Sequence, residues 1–206
     1  INTFFFNLNA IKSGQSRPKD VPKYKPQKVG ILGAGMMGAG IAYAQASRGI
    51  ATVLKDVSLE KAEHGKAYSQ KLTQSRVDKG RMNPHDQTAL LGRITPTADV
   101  ADLKGCELII EAVFENRELK AKVTQEAEPL LAEGGFFASN TSTLPISGLA
   151  QASKRPEKFV GIHFFSPVDK MKLVEIIRGE TTDDETVARA FDYVLALGKL
   201  PIVVND

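Results

Sequence analysis

The 206-residue sequence predicts an α/β fold, in which a doubly wound, mostly parallel sheet carries helices on both faces. Two observations predict this fold. Short apolar runs typical of strands alternate with helical patterns along most of the chain, and the first of these runs, Lys28–Leu32, leads directly into a glycine-rich turn and a helix. The hydrophobic content of 42% and the charged content of 25% are those of an ordinary globular domain.

The glycine-rich turn has the spacing G-x-G-x-x-G, with Met36 and Met37 between the last two glycines. Gly33 is expected to make the tight turn, Gly35 to let the backbone approach a pyrophosphate, and Gly38 to let the helix of residues 36–48 pack on the strand. The N-terminus of that helix then faces the anion. This arrangement is typical of a Rossmann-type dinucleotide-binding fold, and the alternative is a glycine-rich turn that binds nothing.

The second apolar run, residues 51–54, is followed by Lys55 and Asp56. A carboxylate at the end of the second strand, about 20 residues past the glycines, is what a dinucleotide site requires. Asp56 is expected to accept hydrogen bonds from the adenine-ribose hydroxyls and to repel a 2′-phosphate, which favours NAD over NADP. Lys55 weakens that preference.

The next elements follow from caps and breakers. Ser58 and acidic residues begin a long charged helix over residues 58–79, and Gly80 and Pro84 interrupt the pattern. A short helix at 84–91 and a strand at 93–95 come next.

Residues 108–113 form an apolar run broken only by Glu111, as expected of a parallel strand covered on both faces. A helix at 116–131, strands at 136–139, 159–163 and 173–178, a helix at 183–197 ended by Gly198, and a last strand at 201–204 complete the sheet.

The first 26 residues differ from the rest. Apolar side chains recur at helical spacing over residues 1–11, and the chain then becomes rich in proline and lysine. We interpret residues 1–26 as the terminal helix and linker of a preceding domain and residues 27–206 as the dinucleotide-binding domain. The alternative is an N-terminal arm that docks on its own domain.

Charge and composition exclude several classes of function. A net charge of +3 gives no reason to expect nucleic acid as a partner, and no stretch is long enough to span a membrane. Cys106 is the only cysteine, so we expect no disulfide framework and no cysteine-based metal site, which fits a reducing compartment. We interpret Cys106 as a small buried residue and predict no metal.

Candidate catalytic residues lie at or just past predicted strand ends, where open α/β sheets place their ligands. His163 closes one strand, Ser142 follows another, and Glu115 follows a third. An imidazole can take the proton of an alcohol as its carbon gives up hydride, and Glu175, a carboxylate in an apolar strand, can orient that imidazole. The alternatives are a structural histidine and a glutamate paired with Arg178 or with a lysine on an edge strand. His64 and His85 are expected to be exposed.

Five segments occur together in the order and spacing of one family. They are VGILGAGMMG (29–38), IEAVFEN (110–116), ASNTS (138–142), HFFSP (163–167) and LVEII (173–177). Over residues 28–206 the chain resembles the NAD-binding domain of L-3-hydroxyacyl-CoA dehydrogenase. The segment SPVDKM (166–171) is more similar to the multifunctional fatty-acid β-oxidation proteins, in which an enoyl-CoA hydratase domain precedes the dehydrogenase.

The resemblance implies roles for individual residues. His163 matches the catalytic base and Glu175 its orienting partner, while Ser142 matches the serine that bonds the substrate's 3-oxygen near the nicotinamide. Glu115 and Lys120 match positions near the nicotinamide half of NAD. Ser166 departs from single-function relatives, which carry asparagine there, so we expect a less direct contact with cofactor or substrate.

The resemblance also implies a substrate and partners. The activity would be oxidation of (3S)-3-hydroxyacyl-CoA to 3-ketoacyl-CoA in fatty-acid β-oxidation, in the cytoplasm of a bacterium or in the mitochondrial or peroxisomal matrix of a eukaryote. Family members continue into a helical domain that closes the site, so we expect residues 1–206 alone to bind NAD but to turn over poorly.

Two alternative functions stay open. A non-catalytic dinucleotide-binding module would keep the fold without the activity. Related hydroxyacid dehydrogenases commonly use a lysine base, and this chain has none in place of His163.

The phosphates of CoA need cations to bind them. The candidates are Lys71, Arg76, Lys79 and Arg81, and the alternative interpretation is that these residues only form a solvated helix face.

Overall fold

A computed structural model describes residues 16–206, and eight strands occur in that part of the chain. Their bounds are β1 Lys28–Leu32, β2 Ala51–Lys55, β3 Ile94–Thr97, β4 Cys106–Glu111, β5 Leu131–Ser139, β6 Phe159–Phe164, β7 Leu173–Arg178 and β8 Leu200–Asn205. The α-helices are α1 Met36–Ala46, α2 Leu59–Asp78, α3 Pro84–Gly92, α4 Arg117–Ala127, α5 Ile146–Ala150 and α6 Asp184–Ala196.

The strands form one sheet in the order β3-β2-β1-β4-β5-β6-β7-β8. All neighbouring strands are parallel except β6 and β7, which are antiparallel. The chain order reverses between β1 and β4, and ligands of such sheets bind beyond the carboxyl ends of the strands at this point. The predicted doubly wound, mostly parallel fold is therefore confirmed.

Each face of the sheet has its own hydrophobic core. Val29 and Ile31 belong to a core that includes α1 and α6, whereas Leu32 and Ile109 belong to a second core that includes α5 and the end of α4. Successive residues of a strand point to opposite faces, so a continuous apolar run such as β1 feeds both cores. The apolar runs of the sequence thus reflect a sheet that is covered on both sides.

Two predicted boundaries are wrong around Pro129. The helix expected to reach residue 131 ends at Ala127 and gives way to a 3-10 turn, Glu128–Leu130, because proline has no N–H to donate. The strand expected to begin at 136 begins at Leu131, and its pairing with β4 shifts between Cys106 and Leu108. This stretch contains Gly134 and Gly135, a residue type that is depleted in strands.

Other boundaries differ by a few residues. The strand predicted at 108–113 spans Cys106–Glu111, and the carbonyl group of the next residue, Ala112, lies against Gly33 of the glycine turn. Cys106 is fully buried, and burial raises the pKa of its thiol to about 11, in keeping with a structural residue. His64 and His85 are exposed, as predicted. In the described residues, no helix has the length and apolar character needed to cross a membrane.

The described part of the N-terminal segment docks on α6. Arg17 forms a two-pronged ion pair with Asp192, in which Nε and Nη2 each lie 2.8 Å from a carboxylate oxygen, and the Tyr24 N–H donates to the same carboxylate at 3.0 Å. The Tyr24 ring contacts Phe136 edge-on. These contacts hold residues 17–24 against the dinucleotide domain. The helix predicted for residues 1–11 lies outside the described residues.

We predict that Asp192→Asn lowers the free energy of unfolding by about 1.5–3 kcal/mol, because charged hydrogen bonds to a nearly buried guanidinium are lost. Desolvation alone would raise the pKa of Asp192, but the hydrogen bonds from Arg17 and Tyr24 outweigh it and lower this pKa. The stabilisation is therefore complete above the ordinary aspartate pKa of 3.8 and is lost as the pH falls through the lowered value.

Denaturant unfolding at pH 7 and at low pH measures this difference. Asp184→Asn is the matched control, because Asp184 lies on the same helix in an exposed pair with Arg178 and is expected to cost less than about 1 kcal/mol. Equal losses for the two variants would contradict the prediction.

Candidate active site

The glycine turn between β1 and α1 leaves no room for side chains at two positions. Gly33 has φ +95°, and a Cβ there would lie 2.7 Å from the Ala112 carbonyl oxygen; a Cβ on Gly38 would lie 1.8 Å from the Gly33 carbonyl oxygen. A Cβ on Gly35 would instead have no neighbour within 4 Å. The turn is thus tightly packed at Gly33 and Gly38 and open at Gly35, where the sequence predicts the approach of a pyrophosphate.

The N-terminus of α1 is free to bind an anion. Among the α-helices of residues 16–206, α1 alone begins without a side-chain acceptor for its first N–H groups. Ser58, Asn83, Asn116 and Asp183 cap α2, α3, α4 and α6, and Asp206 accepts from the first two N–H groups of α5. Unsatisfied N–H groups and the helix dipole together favour a phosphate at this end of α1.

Asp56 lies beside the glycine turn, at the carboxyl end of β2. Its two carboxylate oxygens accept from the backbone N–H groups of Ala34 and Val57, each at 2.7 Å. The side chain remains partly exposed, so each oxygen keeps a lone pair for another donor. Asp56 is therefore placed where the sequence predicts a ribose acceptor.

His163 and Glu175 form a hydrogen-bonded pair across β6 and β7. They occupy directly paired positions of these antiparallel strands, and His163 Nδ1 lies 2.8 Å from Glu175 Oε2. An ionised carboxylate can only accept, so Nδ1 carries the hydrogen and Nε2 is left as the proton-accepting nitrogen. Arg178, the alternative partner considered for Glu175, pairs with Asp184 at 2.7 Å.

An aromatic ring also packs against the imidazole of His163. The ring of Phe165 packs on it with the ring centroids 4.6 Å apart, and the His163 side chain is 18% exposed. The imidazole therefore has a fixed orientation and one open side.

That open side belongs to a cleft of about 320 Å³ at the carboxyl ends of the parallel strands. Residues from four separate segments line it: Met37, Ala112, Val113, Glu115, Asn140, Ser142, His163, Phe164, Phe165 and Ser166. His163 and Ser142 thus line the same cleft. Asn140 joins the segments, because its Oδ1 accepts from the Phe164 N–H at 2.9 Å.

The loop that carries Ser142 is bound to Glu115. Glu115 Oε1 accepts from the Ser142 N–H at 3.0 Å and from the Thr143 N–H at 3.1 Å, and the Thr141 hydroxyl donates to it at 2.5 Å. Desolvation opposes ionisation, but these bonds together with Lys120 lower the pKa of Glu115 to about 2. Glu115 is therefore ionised under all ordinary conditions.

Lys120 lies behind Glu115. Its side chain is 1% exposed, and its Nζ lies 2.9 Å from both carboxylate oxygens of the fully buried Glu111 and 3.2 Å from Glu115 Oε2. Burial raises the pKa of Glu111, although Lys120 and the hydrogen bond from Ser139 oppose that rise. Lys120 reaches the cleft only through Glu115.

Ser166 lies at the junction between the two halves of the site. Its Oγ lies 3.7 Å from the sulfur of Met36 at the start of α1. Met36 is 70% exposed, and Met37 lines the cleft. The serine thus connects the end of β6 to the glycine turn.

Residues 28–206 match the family described as "3-hydroxyacyl-CoA dehydrogenase, NAD binding domain". The chain belongs to the 3-hydroxyacyl-CoA dehydrogenase family. The match covers the glycine turn, Asp56 and the His163–Glu175 pair, so the site described above lies within this NAD-binding domain.

Solved structures of the same family have the same fold. The chain is similar to (S)-3-hydroxybutyryl-CoA dehydrogenase PaaH1 from Ralstonia eutropha, with 38% identity and a TM-score of 0.85 over 88% of this chain and 64% of that one. It is also similar to 3-hydroxybutyryl-CoA dehydrogenase from Escherichia coli K12, with 32% identity and a TM-score of 0.84 over 88% and 39% of the two chains.

A third similar structure is the dehydrogenase part of multifunctional enzyme 1 from C. elegans, with 29% identity and a TM-score of 0.79 over 90% of this chain and 42% of that one. The chain spans less than two thirds of the length of each of these three proteins.

NAD is the cofactor of this domain, and the described residues fit it. The open approach above Gly35, the uncapped N-terminus of α1 and the Asp56 carboxylate suit the pyrophosphate and the adenine ribose in turn. In the described part of the chain, no group of three or more histidine, cysteine, aspartate or glutamate side chains is arranged to hold a metal ion.

The sequence did not reveal the contacts of Thr141, Asn140 and Phe165. The one signal that was present is Glu111, a carboxylate in an apolar strand, which requires a buried partner. That partner is Lys120, which the sequence placed near the cofactor only by resemblance.

We predict opposite results for two substitutions in the glycine turn. Gly38→Ala lowers the free energy of unfolding by about 1–3 kcal/mol or more, because its Cβ collides with the backbone of Gly33. Gly35→Ala changes it by less than about 1 kcal/mol, since the space is open, but weakens NADH binding.

Thermal unfolding and NADH fluorescence titration of the two variants test this pair. Unchanged NADH binding by Gly35→Ala would show that no pyrophosphate approaches the turn there.

Proposed function

We propose that this chain is the NAD-binding part of an L-3-hydroxyacyl-CoA dehydrogenase, which oxidises (3S)-3-hydroxyacyl-CoA to 3-ketoacyl-CoA in a reversible reaction. The observation that carries the proposal is the His163–Glu175 pair, 2.8 Å apart, on the wall of the cleft that Ser142 also lines. A base, its orienting carboxylate and a hydroxyl donor are the groups needed to oxidise a secondary alcohol.

His163 acts on the substrate hydroxyl. Nε2 accepts the hydroxyl proton while the C3–H electron pair leaves and the C3–O bond becomes a carbonyl. Glu175 accepts from Nδ1–H, which fixes the tautomer and stabilises the imidazolium that forms. NAD, when bound, supplies the acceptor for the hydride that leaves C3.

Ser142 orients the reacting oxygen. By resemblance, its hydroxyl donates to the substrate's 3-oxygen; its backbone N–H is already bound to Glu115, so the loop is fixed before the substrate arrives. A positioned donor acts as the proton leaves, when negative charge develops on that oxygen.

The coenzyme A part of the substrate needs cations. Lys71 and Arg76 lie in the C-terminal half of α2, Lys79 and Arg81 follow its last residue, and all four are exposed. Exposed cations near one helix end are suited to phosphate groups. We propose this end of α2 as the place where the phosphates of CoA bind.

We further propose that the whole protein is multifunctional. The similarity to the dehydrogenase part of multifunctional enzyme 1 supports a hydratase domain before this one. A helical domain after it would close the cleft, so residues 1–206 alone bind NAD and turn over poorly. The setting would be fatty-acid β-oxidation, in a bacterial cytoplasm or an organelle matrix.

We predict that His163→Gln, in the full-length polypeptide, lowers kcat by about 10²–10⁴-fold. Glutamine can keep a hydrogen bond to Glu175 but cannot accept the proton, so NADH affinity and folding stay as in the unchanged protein. Glu175→Gln is expected to lower kcat less, because an amide oxygen still accepts from Nδ1–H but does not stabilise the imidazolium.

Steady-state kinetics with acetoacetyl-CoA and NADH, beside NADH titration, measures both effects. His85→Gln is the control, since His85 is exposed. Full turnover by His163→Gln would remove His163 as the base; NADH binding with no turnover in the unchanged full-length protein would favour a non-catalytic binding module.

Asp56 is predicted to set the preference for NAD. Asp56→Asn removes the charge that repels a 2′-phosphate, so the ratio of NADH to NADPH affinity falls by about tenfold, or about 1.4 kcal/mol. Titration of residues 1–206 with the two cofactors measures the ratio, and Asp78→Asn, on the exposed end of α2, is the control. An unchanged ratio would mean that Asp56 does not lie at the ribose.

A further inference from the structure

Three charged side chains form a continuous row from the interior of the sheet to the cleft. Glu111 is 0% exposed at the carboxyl end of β4, Lys120 is 1% exposed in α4, and the Glu115 side chain is 34% exposed at the cleft. The Lys120 ammonium lies between the two carboxylates, at 2.9 Å from Glu111 and 3.2 Å from Glu115.

Glu115 is not needed to neutralise the buried charges of this row. Lys120 and Glu111 already balance each other, and the Ser139 hydroxyl and the Val113 N–H also donate to the Glu111 carboxylate. An ammonium has three donors, so Lys120 has one left after its two bonds to Glu111. The same ammonium forms an ion pair with Glu115 Oε2 at 3.2 Å, and this attraction holds that oxygen of the Glu115 carboxylate.

The other oxygen of Glu115 holds the loop that carries Ser142. Four donors converge on Oε1: the hydroxyl of Thr141 at 2.5 Å, the N–H of Ser142 at 3.0 Å, and the N–H and hydroxyl of Thr143 at 3.1 and 3.2 Å. The backbone of the loop is thus bound while the Ser142 hydroxyl stays available in the cleft. A shift of the Glu115 carboxylate would move Ser142 with it.

We propose that Lys120 is a positioning residue for the reaction: it fixes Glu115 and, through Glu115, the Ser142 hydroxyl. The proposal rests on the proposed function, which gives Ser142 its contact with the substrate's 3-oxygen. The Lys120 ammonium does not need to touch the cofactor for this role, which agrees with its 1% exposure.

The competing explanation is that Lys120 only neutralises Glu111. Lys120→Met alone does not separate the two explanations, because it leaves a buried carboxylate unpaired and can unfold the domain. The double variant Glu111→Gln/Lys120→Met removes both buried charges while keeping similar side-chain volumes. It preserves a neutral interior but leaves Glu115 without its ammonium partner.

The experiment measures the double variant in the full-length enzyme with acetoacetyl-CoA and NADH. We expect an unfolding temperature near that of the unchanged enzyme and, at saturating NADH, a loss on the order of 10- to 100-fold in kcat and kcat/KM together. Lys122→Met, an exposed lysine on the same helix, is the control and is expected to have no effect. Normal kcat in a folded double variant would overturn the proposal.

A mutant cycle with Ser142→Ala supplies the decisive readout. If Lys120 acts through Ser142, adding Glu111→Gln/Lys120→Met to Ser142→Ala lowers kcat no further, whereas independent losses that multiply would overturn the proposal. Glu115→Gln approaches the same contact from the cleft and is expected to show the same non-additivity, so the test stands even if the double variant does not fold.

Failure of this proposal and failure of the proposed function are distinguishable. If Ser142→Ala alone keeps full kcat, the role of Ser142 in the proposed function is wrong, and the positioning role of Lys120 is wrong with it. If Ser142→Ala lowers kcat but its effect multiplies with that of the other variants, only the positioning role is wrong.

Discussion

The antiparallel pairing of β6 with β7 is the constraint on which the candidate site depends. This register places His163 directly opposite Glu175, and the two side chains point to the same face of the sheet. If the register of β7 against β6 shifted by one residue, the Glu175 side chain would point to the opposite face of the sheet from His163 and their 2.8 Å contact would be lost. The site therefore requires one antiparallel strand pair in an otherwise parallel sheet. Five parallel pairs lie on the β6 side of it, and one parallel pair, β7 with β8, lies on the other side.

The cleft also depends on contacts between segments that follow different strands. The bond from the Phe164 N–H to Asn140 connects the end of β6 to the loop after β5, and Ser166 contacts Met36 at the start of α1. Because each of these segments follows a different strand, the cleft forms only when the whole sheet is assembled. A rigid scaffold with functional groups at its strand ends is how such folds keep reacting groups in place.

The sequence predicted the parts of the site that depend on local patterns. The spacing of Gly33, Gly35 and Gly38 directly after a predicted strand indicated the glycine turn. His163 and Ser142 were predicted because they lie at or just past the ends of predicted strands. The docking of Arg17 on Asp192 joins residues 175 positions apart, so no local pattern reports it. The Lys120–Glu115 contact depends on how the loop before α4 bends, which the residue types alone do not report. The early start of β5 was missed because its irregular pairing with β4 contains glycines typical of turns.

A crystal structure of the full-length protein with NADH and a 3-ketoacyl-CoA would test the central claim most directly. We predict that His163 Nε2 and the Ser142 hydroxyl both lie at about 2.6–3.2 Å from the substrate's 3-oxygen, with Nδ1 still bound to Glu175. A 3-oxygen bound by other groups, with the imidazole directed away from the cleft, would contradict it.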